Sequence, residues 1–408
     1  MKKRYFITFF SRLSAYFEDM NNKVYIPRYA EKTILKRLEL FPATVLIGPR
    51  QVGKTSLVQA IRNQVEGLSI YLDLERPRDL DTIDDLEQFT QQHQDNLVIL
   101  DEIQRKPSLF PELRGIIDRY RRPGRFILLG SASLSLIRDT SESLAGRISI
   151  VELSGLDYRE VKGYVSQQDH WLRGGFPDSL LSTNLEMSRL WRQDFLRTYL
   201  ERDLRLLGLN ADPVLLRRLF TMLAHLNGQT VVYNQLSNSL GINVKTLKRY
   251  LSFMEQAFLI RSLPAYSTNI GKRLVKSPKL YVRDTGIVHE LLRIGSFDDL
   301  LGHPKVGESF ESYVIEEVFS NLPEGMELFF YRTQAGAEVD LIVVDGLQVK
   351  SMVEIKISPT ASLGRGFYEV EKDLKPEKKF LVTLTEDGPY TRKDGTQVIG
   401  LNNLDAIF

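Results

Sequence analysis

Gly48-Pro49-Arg50-Gln51-Val52-Gly53-Lys54-Thr55 fits the pattern G-x-x-x-x-G-K-[ST], and its setting matters as much as its letters. The short apolar run 43–47 precedes it and the helical stretch 56–62 follows it, the strand–loop–helix order that this pattern requires. Glycines let successive backbone N–H groups curl around a β-phosphate, and the helix that opens next adds its positive end. Phosphate contacts are therefore expected from Gly48, Pro49, Arg50, Gln51, Val52, Gly53, Lys54, Thr55 and Ser56. Lys54 would reach the β- and γ-phosphates and Thr55 would give a hydroxyl to Mg²⁺, so ATP and Mg²⁺ are the expected ligands.

Working outward, the runs 68–72, 97–100 and 126–129 are short, continuous and rich in Val, Ile and Leu. Such runs suit parallel strands covered by helices on both faces. The third strand delivers Asp101 toward the metal and Glu102 toward an attacking water. A carboxylate beside the metal ligand is what hydrolysis needs and nucleotide binding alone does not. Ser131, at the end of the next strand, either holds the water or γ-phosphate or belongs to a loop of small residues.

At 408 residues the chain exceeds one compact core. Its net charge of +2 leaves any nucleic-acid affinity to a local basic surface. The absence of cysteine excludes disulfides, thiolate metal sites and cysteine nucleophiles, and the five histidines lack metal-ligand spacing. Residues 1–20 superficially resemble a signal peptide, but Ser11, Arg12 and Ser14 break the apolar run; a short extension is expected. No stretch approaches the roughly 20 apolar residues of a membrane span. A cytoplasmic protein with no membrane partner is the expectation.

The loop motif together with Asp101-Glu102-Ile103-Gln104, Gly130-Ser131 and Leu144-Ala145-Gly146-Arg147 resembles the bacterial and archaeal AAA-type ATPases whose C-terminal half is the domain of unknown function DUF4143. Gly174-Gly175-Phe176-Pro177 and Tyr199-Leu200-Glu201-Arg202-Asp203 are similar to further signatures of that family. The resemblance covers nearly the whole chain from about residue 25. It implies an arginine facing the γ-phosphate, in cis or from a neighbouring copy in a homo-oligomer. Arg147 matches that place; otherwise it is a salt-bridging residue ahead of the strand 148–153.

Further on, two short helices, the turn Gly241-Ile242-Asn243 and a third helix over 244–258 form a helix-turn-helix pattern. Leu247, Leu251, Met254 and Phe258 would face inward, Lys245, Lys248 and Arg249 outward. The stretch 259–283 holds Arg261, Lys272, Arg273, Lys276, Lys279 and Arg283 and no acid. A wing along a DNA backbone would use that excess, Lys272 and Arg273 included, and a spacer would merely solvate it.

From about residue 300, one helix precedes hairpin-forming strands with an Asp345-Gly346 turn. Alternation would put Val339, Leu341 and Val343 on one face and Glu338 and Asp340 on the other. Asp340 with Glu354-Ile355-Lys356, and Glu311 on the preceding helix, resembles the D…E-x-K core of restriction-endonuclease-like nucleases, which bind Mg²⁺.

The expected fold is α/β: an AAA-type P-loop ATPase domain over 21–165, a helical linker region over 166–213, a winged-helix-like domain over 214–295 and a restriction-endonuclease-like α/β domain over 296–408. The leading function is a nucleotide-dependent switch on DNA. An ATP-dependent nuclease and a protein-remodelling ATPase without a nucleic-acid role are the alternatives.

Overall fold

The structure, a computed structural model, describes residues 25–65, 67–131, 144, 146–267, 275–385 and 387–408. Thus the 1–20 extension, Ala145, Lys272 and Arg273 lie outside the described residues.

Five parallel strands form the first sheet: β1 (Ala43–Gly48), β2 (Ser69–Asp73), β3 (Leu97–Asp101), β4 (Phe126–Ser131) and β5 (Ile148–Glu152). Their order is β2-β3-β4-β1-β5, with Ala43 level with both Phe126 and Ile148. Every residue of β1, β3 and β4 is buried, which is why their sequences are unbroken apolar runs rather than alternating ones. Three amphipathic helices bury one stripe each nearby: α1 (Ala30–Leu38), α2 (Lys54–Arg62) and α3 (Leu109–Arg119). Gly48 ends β1 so close to the next strand's exit that a β-carbon there would stand 2.2 Å from the Leu153 carbonyl oxygen.

The middle of the chain is helical. α4 (Gln167–Arg173) and α5 (Leu185–Thr198) come first, and α5 runs into a π-helical turn, Tyr199–Asp203. α6 (Pro213–His225), α7 (Tyr233–Leu240) and α8 (Val244–Gln256) follow. A three-stranded antiparallel sheet joins them: β6 (Gln229–Thr230), β7 (Ile260–Leu263) and β8 (Lys279–Val282), in the order β6-β8-β7.

The last sheet is mixed and six-stranded, ordered β13-β14-β12-β11-β10-β9. Its strands are β9 (Met326–Arg332), β10 (Glu338–Asp345), β11 (Gln348–Ile355), β12 (Lys378–Val382), β13 (Tyr390–Thr391) and β14 (Gln397–Ile399). α9 (Val306–Ser320) shares an apolar cluster with one face, and α10 (Arg365–Leu374) with the other.

Here the structure corrects the expected alternation. Val339 packs with Ile342 and Val344 on the α10 side, while Leu341 and Val343 pack on the α9 side. The register against β9 shifts between Val339 and Ile342. One extra residue in a strand inverts the in–out pattern beyond it.

Apolar packing does not follow chain order. One core links the first sheet to Phe195, Leu216, Leu247 and Val282 of the helical middle. A second joins Trp171, Leu172 and Leu180 to Phe310, Tyr313, Val353 and Phe380 of the last sheet and its helix. Within the stretch 166–213, Trp171, Leu172 and Leu180 pack with the C-terminal core, and Phe176, Phe195 and Leu204 with the N-terminal one.

Candidate nucleotide site and C-terminal carboxylate cluster

The C-terminal ends of β1 and β3 and the start of α2 converge on one point. Thr55 donates its hydroxyl to Asp101 Oδ2 at 2.8 Å, and Tyr71, at mid-strand in β2, donates to the same oxygen at 2.6 Å. Lys54 is buried and donates to its own loop, to Gly48 O at 2.9 Å and Pro49 O at 2.8 Å. Burial pushes the Lys54 ammonium down to about 8, against the pull of Glu102 and Asp101. Gln51 turns the loop with φ +64°, Val52 is buried and Ser56 is exposed at the mouth.

Glu102 sits in left-handed backbone, φ +56° and ψ +43°. Its N–H donates to Asp101 Oδ1 at 2.9 Å. Ser131 donates to Glu102 Oε2 at 2.7 Å, and Gln104 donates both to that oxygen and to Ser131 Oγ. So Ser131 meets the carboxylate, and Gln104 and Tyr71, which motif reading did not single out as site residues, complete the arrangement. Gln104 lies in the quoted Asp-Glu-x-Gln run; Tyr71 sits in an apolar strand and gives no local signal.

Arg147 is placed elsewhere. It precedes β5, level with the start of β1, whereas the phosphate loop follows the end of β1. Six residues of strand separate the two ends, about 20 Å. Its guanidinium pairs with Asp118 at the end of α3, Nε–Oδ1 2.5 Å and Nη2–Oδ2 2.8 Å. Arg147 therefore does not face the phosphate loop of its own chain.

The basic stretch 259–283 is also corrected. Arg261 forks onto Glu316 of α9 at 2.8 and 2.9 Å. Arg283 reaches Glu316, Glu152 at the end of β5 and the Ser154 hydroxyl, at 2.7, 2.7 and 3.0 Å. Although burial opposes ionisation, the two arginines hold the Glu316 carboxyl down at about 2. These cations cross-link the ATPase-like sheet to α9 and do not line a solvated wing. Lys245, Lys248 and Arg249 on α8 are exposed.

Glu311, Asp340, Glu354 and Lys356 do converge, but around another side chain. Lys279 of β8, its side chain 3% exposed, lies 2.9 Å from Glu311 Oε1, 2.9 Å from Glu338 Oε1 and 3.8 Å from Asp340 Oδ1. Tyr281 donates to Glu311 Oε1 at 2.6 Å, and the Ile355 N–H to Asp340 Oδ2 at 2.9 Å. Lys356 bonds Glu354 at 2.8 Å and approaches Asp340 at 3.6 Å. Burial raises the Glu311 and Glu354 carboxyls to about 7. Burial alone would lower the Lys279 ammonium, yet Glu311, Asp340 and Glu338 outweigh it and raise it. A fixed ammonium stands among the carboxylates that would ligate a divalent ion, so the set does not fit a metal. Among the described residues no group of three or more acids or histidines is placed to hold one.

Two glycines of the Gly-Gly-Phe-Pro run have a structural account. Gly175 donates its N–H to Asp284 Oδ2 at 2.8 Å, and a β-carbon on Gly174 would stand 2.2 Å from Asp284 Oδ1. Burial pushes Asp284 up to about 6.

A parallel sheet ordered β2-β3-β4-β1-β5, with the phosphate loop after β1 and the acidic pair after β3, defines an AAA-type P-loop ATPase fold. The AAA domain family matches residues 40–162, a domain of unknown function (DUF8612) matches 165–298 and the DUF4143 domain of unknown function matches 306–404. The uncharacterized proteins Rv2008c of Mycobacterium tuberculosis and Mb2031c of Mycobacterium bovis are each 39% identical over 85% of this chain and 78% of theirs. The chain belongs to their family, that of AAA-domain proteins with a C-terminal DUF4143 domain. Among solved structures, the Walker-type ATPase PABY2304 of Pyrococcus abyssi is 18% identical, with a TM-score of 0.43 over 66% of this chain and 96% of that one. The Thermotoga maritima RuvB Holliday junction branch migration motor is 20% identical, with a TM-score of 0.27 over 59% and 90%. Among the described residues no helix is long and apolar enough to cross a membrane.

Proposed function

We propose that the chain binds and hydrolyses Mg-ATP at the loop Gly48–Thr55 and works as a nucleotide-dependent switch acting on DNA. The observation that carries the first half is the pairing of Thr55 with Asp101 beside a Glu102 fixed by Ser131 and Gln104. Thr55 and Asp101 would hold Mg²⁺, which supplies charge neutralisation for the phosphates. Lys54 exchanges its bonds to Gly48 O and Pro49 O for phosphate oxygens. Glu102 takes the proton from a water whose oxygen bonds the γ-phosphorus. The bond from that phosphorus to the β,γ-bridging oxygen breaks, and its electron pair stays on ADP. Phosphate release that is no faster in wild type than in Lys54→Ala would end this reading.

Because burial lowers the Lys54 ammonium to about 8 and phosphate favours its charged form, ATP binding takes up a proton at higher pH. Affinity should fall as pH rises past 8, by up to about tenfold per unit, in a nucleotide titration between pH 7 and 9.5. A pH-independent affinity would mean that burial does not lower the Lys54 ammonium into this range.

For the DNA half, the exposed Lys245, Lys248 and Arg249 are the residues in position. With Arg261, Lys279 and Arg283 committed internally, about three phosphate contacts remain on α8, so log K against log salt should slope near −3. Reversing the three charges should flatten it. Unchanged affinity would favour a spacer, and no DNA effect on the ATPase rate would favour protein remodelling.

The C-terminal sheet, in this reading, is a binding module and not a nuclease, because Lys279 stands where a metal would be required. Wild type should melt at the same temperature with and without Mn²⁺ and should not nick a plasmid. Lys279→Met leaves buried carboxylates uncompensated and should cost roughly 3–5 kcal/mol, read by urea unfolding. A Mn²⁺-dependent rise in melting temperature that Asp340→Asn abolishes would restore the nuclease alternative.

A further inference from the structure

The phosphate loop carries one charged side chain besides Lys54, and the fold holds it from two sides. Arg50 donates from Nη1 to Asp203 Oδ1 at 3.0 Å and from Nη2 to Glu75 Oε1 at 3.3 Å. Asp203 closes the π-helical turn Tyr199–Asp203; Glu75 follows β2 and is shared with Arg105, which donates to it at 2.6 Å. Arg50 belongs to the phosphate loop itself, and the charges of Asp203 and Glu102 both act on it.

We propose that Arg50 reads the γ-phosphate and that Asp203 holds it in reserve until ATP arrives, so that ATP, and not ADP, detaches the phosphate loop from the Tyr199–Asp203 turn. This rests on the loop being a nucleotide site. The guanidinium is a planar fork suited to two phosphate oxygens. Its present partners are carboxylates, so trading one for a phosphate keeps Arg50 paired with an anion, and Asp203, its side chain 13% exposed, is the group that gives up its cation. ADP brings no group to that position and leaves the Asp203 pair intact. The turn that Asp203 closes is a π turn, a rare single-turn form inside α-helices. It begins at a row of ring contacts, Tyr199 stacked on Phe195 at 5.1 Å and Phe195 tilted against Phe176 at 4.7 Å. Phe176 belongs to the same run as the glycines that wrap Asp284. Freeing Asp203 therefore acts on a structure that leads away from the nucleotide into the joint between the two large cores.

The test is equilibrium binding of ADP and of a non-hydrolysable ATP analogue to the full chain, as wild type, Arg50→Ala, Asp203→Asn and the double variant. Arg50→Ala should lose roughly 10- to 100-fold for the ATP analogue and less than about 3-fold for ADP, whose retained binding shows the site is folded. Asp203→Asn should bind the analogue about 5-fold tighter with ADP unchanged, and adding Arg50→Ala should erase that gain. Equal losses for both nucleotides in Arg50→Ala, or an Asp203→Asn gain that survives without Arg50, would overturn the proposal while leaving the nucleotide site standing. Wild type that binds neither nucleotide would overturn the site itself.

Discussion

Glu102→Gln protein holds ATP with the affinity of wild type and turns it over about 10²–10⁴-fold more slowly. The amide keeps the size of the carboxylate, and its oxygen can still accept from Ser131 and Gln104, which now hold Glu102 Oε2. What it cannot do is take a proton from water. The left-handed backbone at Glu102 costs roughly 1–2 kcal/mol for a residue with a β-carbon, and the bonds to Asp101, Ser131 and Gln104 offset it. Because the substitution leaves those bonds possible, lost turnover cannot be blamed on a collapsed loop. Lys54→Ala is the complementary case: binding itself goes. A fluorescent-nucleotide titration beside a phosphate-release assay separates the two, and wild-type turnover by Glu102→Gln would remove Glu102 from the chemistry.

Arg147→Ala is expected to slow turnover by about 10³–10⁵ with little change in ATP affinity, provided copies of the chain share sites. Its position before β5, about 20 Å along the sheet from the loop, favours service to a neighbour's nucleotide over its own. Arg147→Ala has an intact loop but gives no arginine; Lys54→Ala gives an arginine but has no working loop. Mixed, they should regain activity that neither has alone. Failure to complement, with normal activity of Arg147→Ala, would reduce Arg147 to the partner of Asp118.

What could be read in the sequence were the parts whose chemistry is contiguous. The loop, its flanking strand and helix, and Asp101-Glu102 each lie within nine residues, and burial on both faces makes strands of this sheet legible as apolar runs. Partners brought together by the fold were not legible. Arg50 and Asp203 are 153 positions apart, and Lys279 and Asp340 are 61 positions apart and in different sheets. In one dimension Lys279, Arg261 and Arg283 look like a basic wing; in three, each faces acids from α9, and Arg283 also faces Glu152. The bulge in β10 was hidden because an extra Val or Leu in an apolar run changes no pattern that composition records. Arg147 was identified by resemblance, yet only the parallel register of β5 on β1 told at which end of the sheet it lies.

The packing of Trp171 against Phe310, with its indole N–H donated to Ser309 at 3.0 Å, has a meaning on the ribosome. Trp171 emerges about 140 positions before its partner, and at about 5–20 residues per second it waits roughly 7–28 s for α9 to be made. During that interval Trp171, Leu172 and Leu180 lack the α9 and last-sheet part of their core, while the first sheet ahead of them already has its own strands and helices. The nascent chain thus presents a folded ATPase-like body trailing an apolar segment, the kind of surface that chaperones hold. Stop codons anywhere before α9 would leave that segment permanently uncovered, so early truncation should yield protein that clumps, however well its phosphate loop has formed.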